Sequence, residues 1–190
     1  EFIVDSTNIG IKGQTKIELR RINYPSDSSL VQLRVFEKYE NTWRETYNNS
    51  IPTNSLMPLE PTFEDFNNDG LNDVLIRTAS SSRGANEIQT LLLYRAKTND
   101  LVWINNSESF PNLEYNAELK CITAWVFTGG LTTFFMRIER GNLIEFAEVD
   151  QRDGRIVVTA TDENGNRKEI KNIAADGFTE FAKFKNFDPL

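Results

Sequence analysis

The chain has no histidine. Serine or cysteine nucleophiles activated by an imidazole are therefore excluded, as are zinc sites built on histidine or on several cysteines. Cys121 is the single cysteine, so no internal disulfide can form. It sits in an apolar segment and reads as a buried small hydrophobe. No glycine-rich phosphate cradle of P-loop or dinucleotide-binding spacing occurs. No apolar run approaches the length that spans a bilayer. Positive charge is also scarce. The net charge of −7 argues against nucleic acid and against an anionic membrane surface, both of which need a basic face. No signal peptide is visible. Either the chain is cytoplasmic or an export signal has been removed, and the start at Glu1 without a methionine favours the second.

What is present is a loop rich in oxygen. Asp65-Phe66-Asn67-Asn68-Asp69-Gly70-Leu71-Asn72-Asp73 places Asp65, Asn67, Asp69 and Asp73 at loop positions 1, 3, 5 and 9, with glycine at position 6. Calcium takes six to eight hard oxygen ligands, and a short loop supplies them by pointing alternate residues inward around a sharp turn. Asp65, Asn67, Asp69 and Asp73 would contribute side-chain oxygens and Leu71 its backbone carbonyl. Gly70 admits the positive φ of the turn. Asp69-Gly70 alone could be an ordinary acidic turn, but a turn does not require polar residues at positions 1, 3 and 9 as well. Position 12 is Ile76, where an EF-hand carries a bidentate glutamate, and the flanks read as extended chain. The loop therefore joins β segments.

The rest of the pattern predicts an all-β fold, an antiparallel meander forming a sandwich, barrel or propeller-like sheet. Residues 131–140, 143–149 and 155–161 read as strands joined by two-residue turns at Gly141-Asn142 and Asp153-Gly154. That placement sets Phe134, Met136 and Ile138 opposite Val149, Ala147 and Glu145, and Val149 and Ala147 opposite Val158 and Ala160. Asn164-Gly165 leads into a fourth strand over 167–173. Upstream, 16–20 and 31–35 alternate, 89–94 reads as a strand buried on both faces, and 119–127 is a further strand. Residues 24–29, 48–61 and 80–86 look like loops. Phe178, Phe181 and Phe184 suggest a short C-terminal helix over 176–184. A length of 190 residues suits one domain, with residues 1–50 as a candidate added β layer.

The stretch from Phe63 to Val149 resembles a family of exported bacterial calcium-binding proteins similar to periplasmic lysozyme inhibitors. Its best-known member is an immunity protein against a secreted peptidoglycan-cleaving effector. Three features carry the resemblance. The first is the loop 65–73 followed directly by a strand. The second is the polar loop Ser80-Ser81-Ser82-Arg83-Gly84-Ala85-Asn86 before a strand ending Leu92-Leu93-Tyr94-Arg95. The third is the later order of a turn at Thr98-Asn99-Asp100, a Leu-Glu-Tyr stretch at 113–115 and a hairpin crossed at Gly141-Asn142. The resemblance implies a β fold, a periplasmic or secreted address, Ca²⁺ at Asp65, Asn67, Asp69, Leu71 and Asp73, and a protein partner, with a peptidoglycan hydrolase as the sharper form. No inhibitory residue carries over from it.

The expected function is thus a non-catalytic binding protein. The candidate contact is the loop bearing Ser82, Arg83, Gly84 and Asn86, from which Arg83 could reach acidic groups in a muramidase cleft. The alternative is a carbohydrate-binding or adhesive module using Trp43, Trp103 and Trp125 as stacking platforms, set against the usual half-buried role of tryptophan in a β domain. Paired carboxylates are a weaker third reading. Glu139, Glu145 and Glu148 share one hairpin, but strand alternation puts Glu145 and Glu148 on opposite faces.

Overall fold

The computed structural model describes residues 1–25, 27–162, 164–175 and 183–188. Fourteen strands follow in order among them: β1 (Phe2–Asp5), β2 (Thr15–Asn23), β3 (Ser28–Tyr39), β4 (Thr42–Asn54), β5 (Thr62–Glu64), β6 (Asp73–Ser81), β7 (Asn86–Arg95), β8 (Asp100–Trp103), β9 (Glu114–Asn116), β10 (Cys121–Phe127), β11 (Leu131–Glu139), β12 (Asn142–Arg152), β13 (Arg155–Thr161) and β14 (Arg167–Ala174). They form three sheets, ordered β1-β2-β3-β4, β5-β6-β7-β8 and β14-β13-β12-β11-β10-β9. The strand pairs among the described residues are antiparallel, so the expected all-β meander is present. The helix expected over 176–184 falls on residues 176–182, outside the described residues, while Lys183 and Phe184 are irregular.

The residues cluster into two compact units. One comprises Glu1–Ala79 with Ile88–Asn105, the other Ser80–Glu87 with Asn106–Leu190. The first unit is a sandwich. On β2 and β3 alternate residues are buried, and the pairs Ile17↔Val35 and Leu19↔Leu33 put them on one face. They pack with Val74 and Ile76 of β6, Leu92 and Tyr94 of β7, and Leu101 of β8. The run Leu91–Leu92 on β7 is buried throughout, as expected of a strand covered on both faces. On the outward face of the first sheet, Phe36 is still nearly buried. Lys16 Nζ lies 4.0 Å and Arg34 Cζ 4.8 Å from its ring centre, so the charged side chains cover the ring.

The polar stretch expected as a loop over 48–61 instead extends β4 to Asn54, paired with β3 as far as Ser28↔Asn54. Its polarity reflects an edge strand with one face in water, which the residue types alone do not separate from a loop.

The second unit holds the six-stranded sheet. The Asp153-Gly154 turn and its register are as expected, with Ala147↔Ala160 and Val149↔Val158. The preceding turn is not at Gly141-Asn142. Arg140 (φ 49°) and Gly141 (φ 76°) are its central residues, and Asn142 joins the ladder opposite Glu139. Both central positions need positive φ, which favours glycine second. A bulge between Phe135 and Met136 shifts the register again, so Phe134, Met136 and Ile138 face Glu148, Glu145 and Leu143. Phe135, opposite Ala147, therefore joins the buried cluster of Cys121, Ala147, Val149, Ile156 and Val158.

Candidate functional site

The loop 65–73 connects β5 to β6 and is anchored at both ends by apolar residues. Phe66 is buried and Leu71 packs against the sandwich core. Asn67, Asn68, Asp69 and Gly70 are left exposed between them. Asn68 (φ 58°) and Gly70 (φ 87°) take the left-handed turn conformation. The oxygens converge as the spacing implies. The Asp69 N–H is shared between Asp65 Oδ1 and Asn67 Oδ1, each at 3.0 Å. The Gly70 N–H donates to Asp65 Oδ2 at 2.7 Å, and the Leu71 N–H to Asp69 Oδ1 at 2.9 Å. Asn67 Nδ2 donates to Asp69 Oδ2 at 3.0 Å.

Asp73 has a further task. It is fully buried at the start of β6. Its Oδ2 accepts the Phe66 N–H and its Oδ1 the Tyr94 N–H, both at 2.9 Å. One carboxylate thus ties the loop's second residue to β7. Burial pushes its pKa up to about 7; the two N–H donors pull it down, and the charges of Asp69 and Asp65 push it up further. Two carboxylates whose charges raise the proton affinity of a third leave negative charge that a cation would balance.

The donor set has the chemistry that calcium prefers, carboxylate and amide oxygen with carbonyls within reach of a short loop. Among the described residues no three or more Asp, Glu, His or Cys side chains group closely enough to hold a metal by themselves. A cation here would depend on Asn67 and backbone carbonyls as well as the aspartates.

The loop expected to meet a partner lies between β6 and β7. Ser82, Arg83 and Gly84 are exposed, and all three have positive φ. Asn86 is only 2% exposed. Its Oδ1 accepts the Phe127 N–H at 2.8 Å, while its Nδ2 donates to the Phe127 carbonyl at 3.1 Å and to Ser82 Oγ at 2.9 Å. Asn86 is therefore a clip inside the second unit, and Ser82, Arg83 and Gly84 form the presented surface. A second clip escaped the sequence reading. Asn112 Oδ1 accepts the Glu87 N–H, and its Nδ2 donates to the carbonyls of Ala85 and Trp125, at 2.9–3.1 Å. Nothing in the residue type marks either asparagine, since polar loops are rich in asparagine by default.

The tryptophans separate. Trp43 is 38% exposed, with Lys16 Nζ 5.4 Å from its ring centre. Trp103 packs on the sandwich core and donates from Nε1 to Tyr47 OH at 2.9 Å. Trp125 is half-buried. Glu145 and Glu148, expected on opposite faces, share Arg167 Nη2, at 3.3 and 2.5 Å. The bulge leaves Phe146 unpaired between them on β12, which removes one step of alternation and brings them to one face. Burial and the neighbouring Glu148 raise the Glu145 pKa.

No known family profile matches the chain, and no curated protein matches it. Among solved structures it is similar to one described as "Structure of a Xanthomonas Type IV Secretion System related protein". The alignment has a TM-score of 0.56 at 12% identity and covers 90% of this chain and 93% of that one. The likeness shows a shared β fold. No helix among the described residues is long and apolar enough to cross a membrane.

Proposed function

We propose that the protein is a non-catalytic, exported calcium-binding protein whose loop 65–73 takes Ca²⁺ and whose surface binds a protein partner. The observation that carries the reading is the convergence of Asp65 and Asn67 oxygens on one amide of a loop that also holds Asp69. Asp65, Asn67, Asp69, the Leu71 carbonyl and Asp73 would hold the ion. The ion would supply positive charge to an acidic loop and fix its shape. The presented partner surface is Ser82, Arg83 and Gly84. Inhibition of a peptidoglycan-cleaving muramidase is the sharper form of the proposal, and the periplasm or the cell exterior is its setting. A fold shared with a protein described as secretion-system related supports that address.

A ligand that binds only the folded state raises its stability by mass action. Millimolar calcium should raise the melting temperature, and a chelator should reverse the rise. Asp65→Ala and Asp69→Ala should each abolish it. An unchanged melt in calcium would remove the metal. For the sharper form, excess protein should slow lysis by at least one muramidase class, and Arg83→Glu should restore lysis. Undiminished lysis across lysozyme classes would remove the inhibitor reading and leave the calcium reading in place.

Exposure of Trp43 beside Lys16 favours the second reading, a carbohydrate-binding or adhesive surface. Retention on a glycan matrix that Trp43→Ala abolishes would support it.

A further inference from the structure

We propose that the face of the six-stranded sheet carrying Cys121, Phe135, Ala147 and Val149 is a peptide-binding site, and that residues 183–188 occupy it as a ligand supplied by the same chain. The ligand class is a short, bent peptide of pattern Lys-Phe-x-x-Phe-Asp.

Residues 183–188 form neither strand nor helix, yet they are held along their length. Lys183 pairs with Glu114 of β9 at 2.5 Å, and Asp188 with Lys171 of β14 at 2.8 Å. These strands are opposite edges of the sheet, so the segment crosses the face from edge to edge. Phe184 and Phe187 pack on the buried cluster. The Phe187 ring meets Phe135 and Phe146 edge-on, with centroids at 5.8 and 5.9 Å. Asn116 Nδ2 donates to the Lys185 carbonyl at 2.8 Å, and the Phe184 N–H donates to Thr133 Oγ1 at 3.4 Å. Backbone contacts, two aromatic anchors and opposite charges at the ends are the division of labour by which proteins recognise short peptides.

The sheet does not need the segment to complete its ladder, since β14 to β9 bond to one another in sequence. The ion pairs are solvent-exposed and set direction more than strength. Affinity rests on the two phenyl rings. A groove of about 290 Å³ remains open beside Lys183, Phe184 and Lys185, lined from the sheet side by Glu114, Asn116 and Thr123, and could receive a larger side chain than the chain's own. Tethering gives the internal segment a high effective concentration, so an outside peptide of the same pattern enters once the internal one is weakened.

The test uses the full chain and a fluorescein-labelled Lys-Phe-Lys-Asn-Phe-Asp peptide. Phe184→Ala/Phe187→Ala weakens the internal competitor, so this variant should bind the peptide at least tenfold tighter than the unmodified chain. Cys121, buried in the same cluster, should react faster with a thiol reagent in the variant, and saturating peptide should slow it again. A peptide with both phenylalanines replaced should do neither. Lys171→Glu should weaken peptide binding, and a peptide ending in lysine should recover it. The proposal fails if the folded variant does not bind the peptide, or if Cys121 reacts at one rate with and without it. It also fails if the variant loses its cooperative melt, because the segment is then part of the core and not a ligand.

Discussion

Replacing Asp73 by asparagine probes how a buried carboxylate ties the acidic loop to the sandwich. Asparagine keeps one oxygen acceptor for the Phe66 or Tyr94 N–H but turns an amide hydrogen toward the other. At pH 5 the folded carboxyl is protonated, so no charge is lost, and the buried N–H left facing the amide hydrogens should cost about 2–3 kcal/mol. Against that stands relief from burying a charge. Unfolded, Asp73 releases its proton near 3.8; folded, at about 7. Between those values folding takes up a proton, so the native protein loses stability as pH rises through this window. At about 1.4 kcal/mol per pH unit for one proton, the loss between pH 5 and 8 is about 2.5 kcal/mol. Asp73→Asn removes this slope. In chelator, urea unfolding should therefore find the variant less stable than the native protein by about 2–3 kcal/mol at pH 5 and nearly equal to it at pH 8. A destabilisation equal at the two pH values would refute the reasoning, since the carboxylate would then carry no burden from burial.

Asn112→Ala should destabilise by about 2–4 kcal/mol in urea unfolding, because it frees one backbone N–H and two carbonyls from a buried amide. Its conservative partner Asn112→Gln should not rescue stability, since the extra methylene displaces the amide from all three groups. Gly10→Ala should cost more than about 1 kcal/mol, as Gly10 has φ +51° and a Cβ there would lie 2.6 Å from Tyr94 Cζ; a neutral melt would contradict it. Tyr94→Phe removes hydrogen bonds to Asn99 Oδ1 (2.7 Å) and Thr15 Oγ1 (3.0 Å) and should lower stability by about 1–2 kcal/mol, measurable by the same assay.

Alternation was enough to read the meander from 131 to 173, and one turn with its register, because a buried face fixes which residues must point inward. Asp153-Gly154 supplies both central positions of its turn, and the pairing of Val149 with Val158 follows. Arg140 hid the neighbouring turn, since an arginine at positive φ leaves no mark in the residue type. The bulge at Phe135 could not be read at all. It exchanges the roles of Phe134 and Phe135, and it turns Glu145 and Glu148 from opposed into joined. The loop 65–73 was legible because its spacing repeats the geometry it adopts. The second task of Asp73 was not, since its partner Tyr94 lies far along the chain. The same limit hid Asn86 and Asn112, whose burial depends on backbone groups at 125 and 127.

The shielded ring of Phe36 bears on how the first sheet stays dispersed. Its outward surface carries a bulky aromatic that bare would invite self-association, yet two flexible cations, themselves paired with Glu18 and Glu45, drape it. Neutralising Lys16, as acetylation would, therefore strips more than a charge. It unveils hydrocarbon on an inner strand of the sheet, and stickiness should rise out of proportion to the single unit of charge removed.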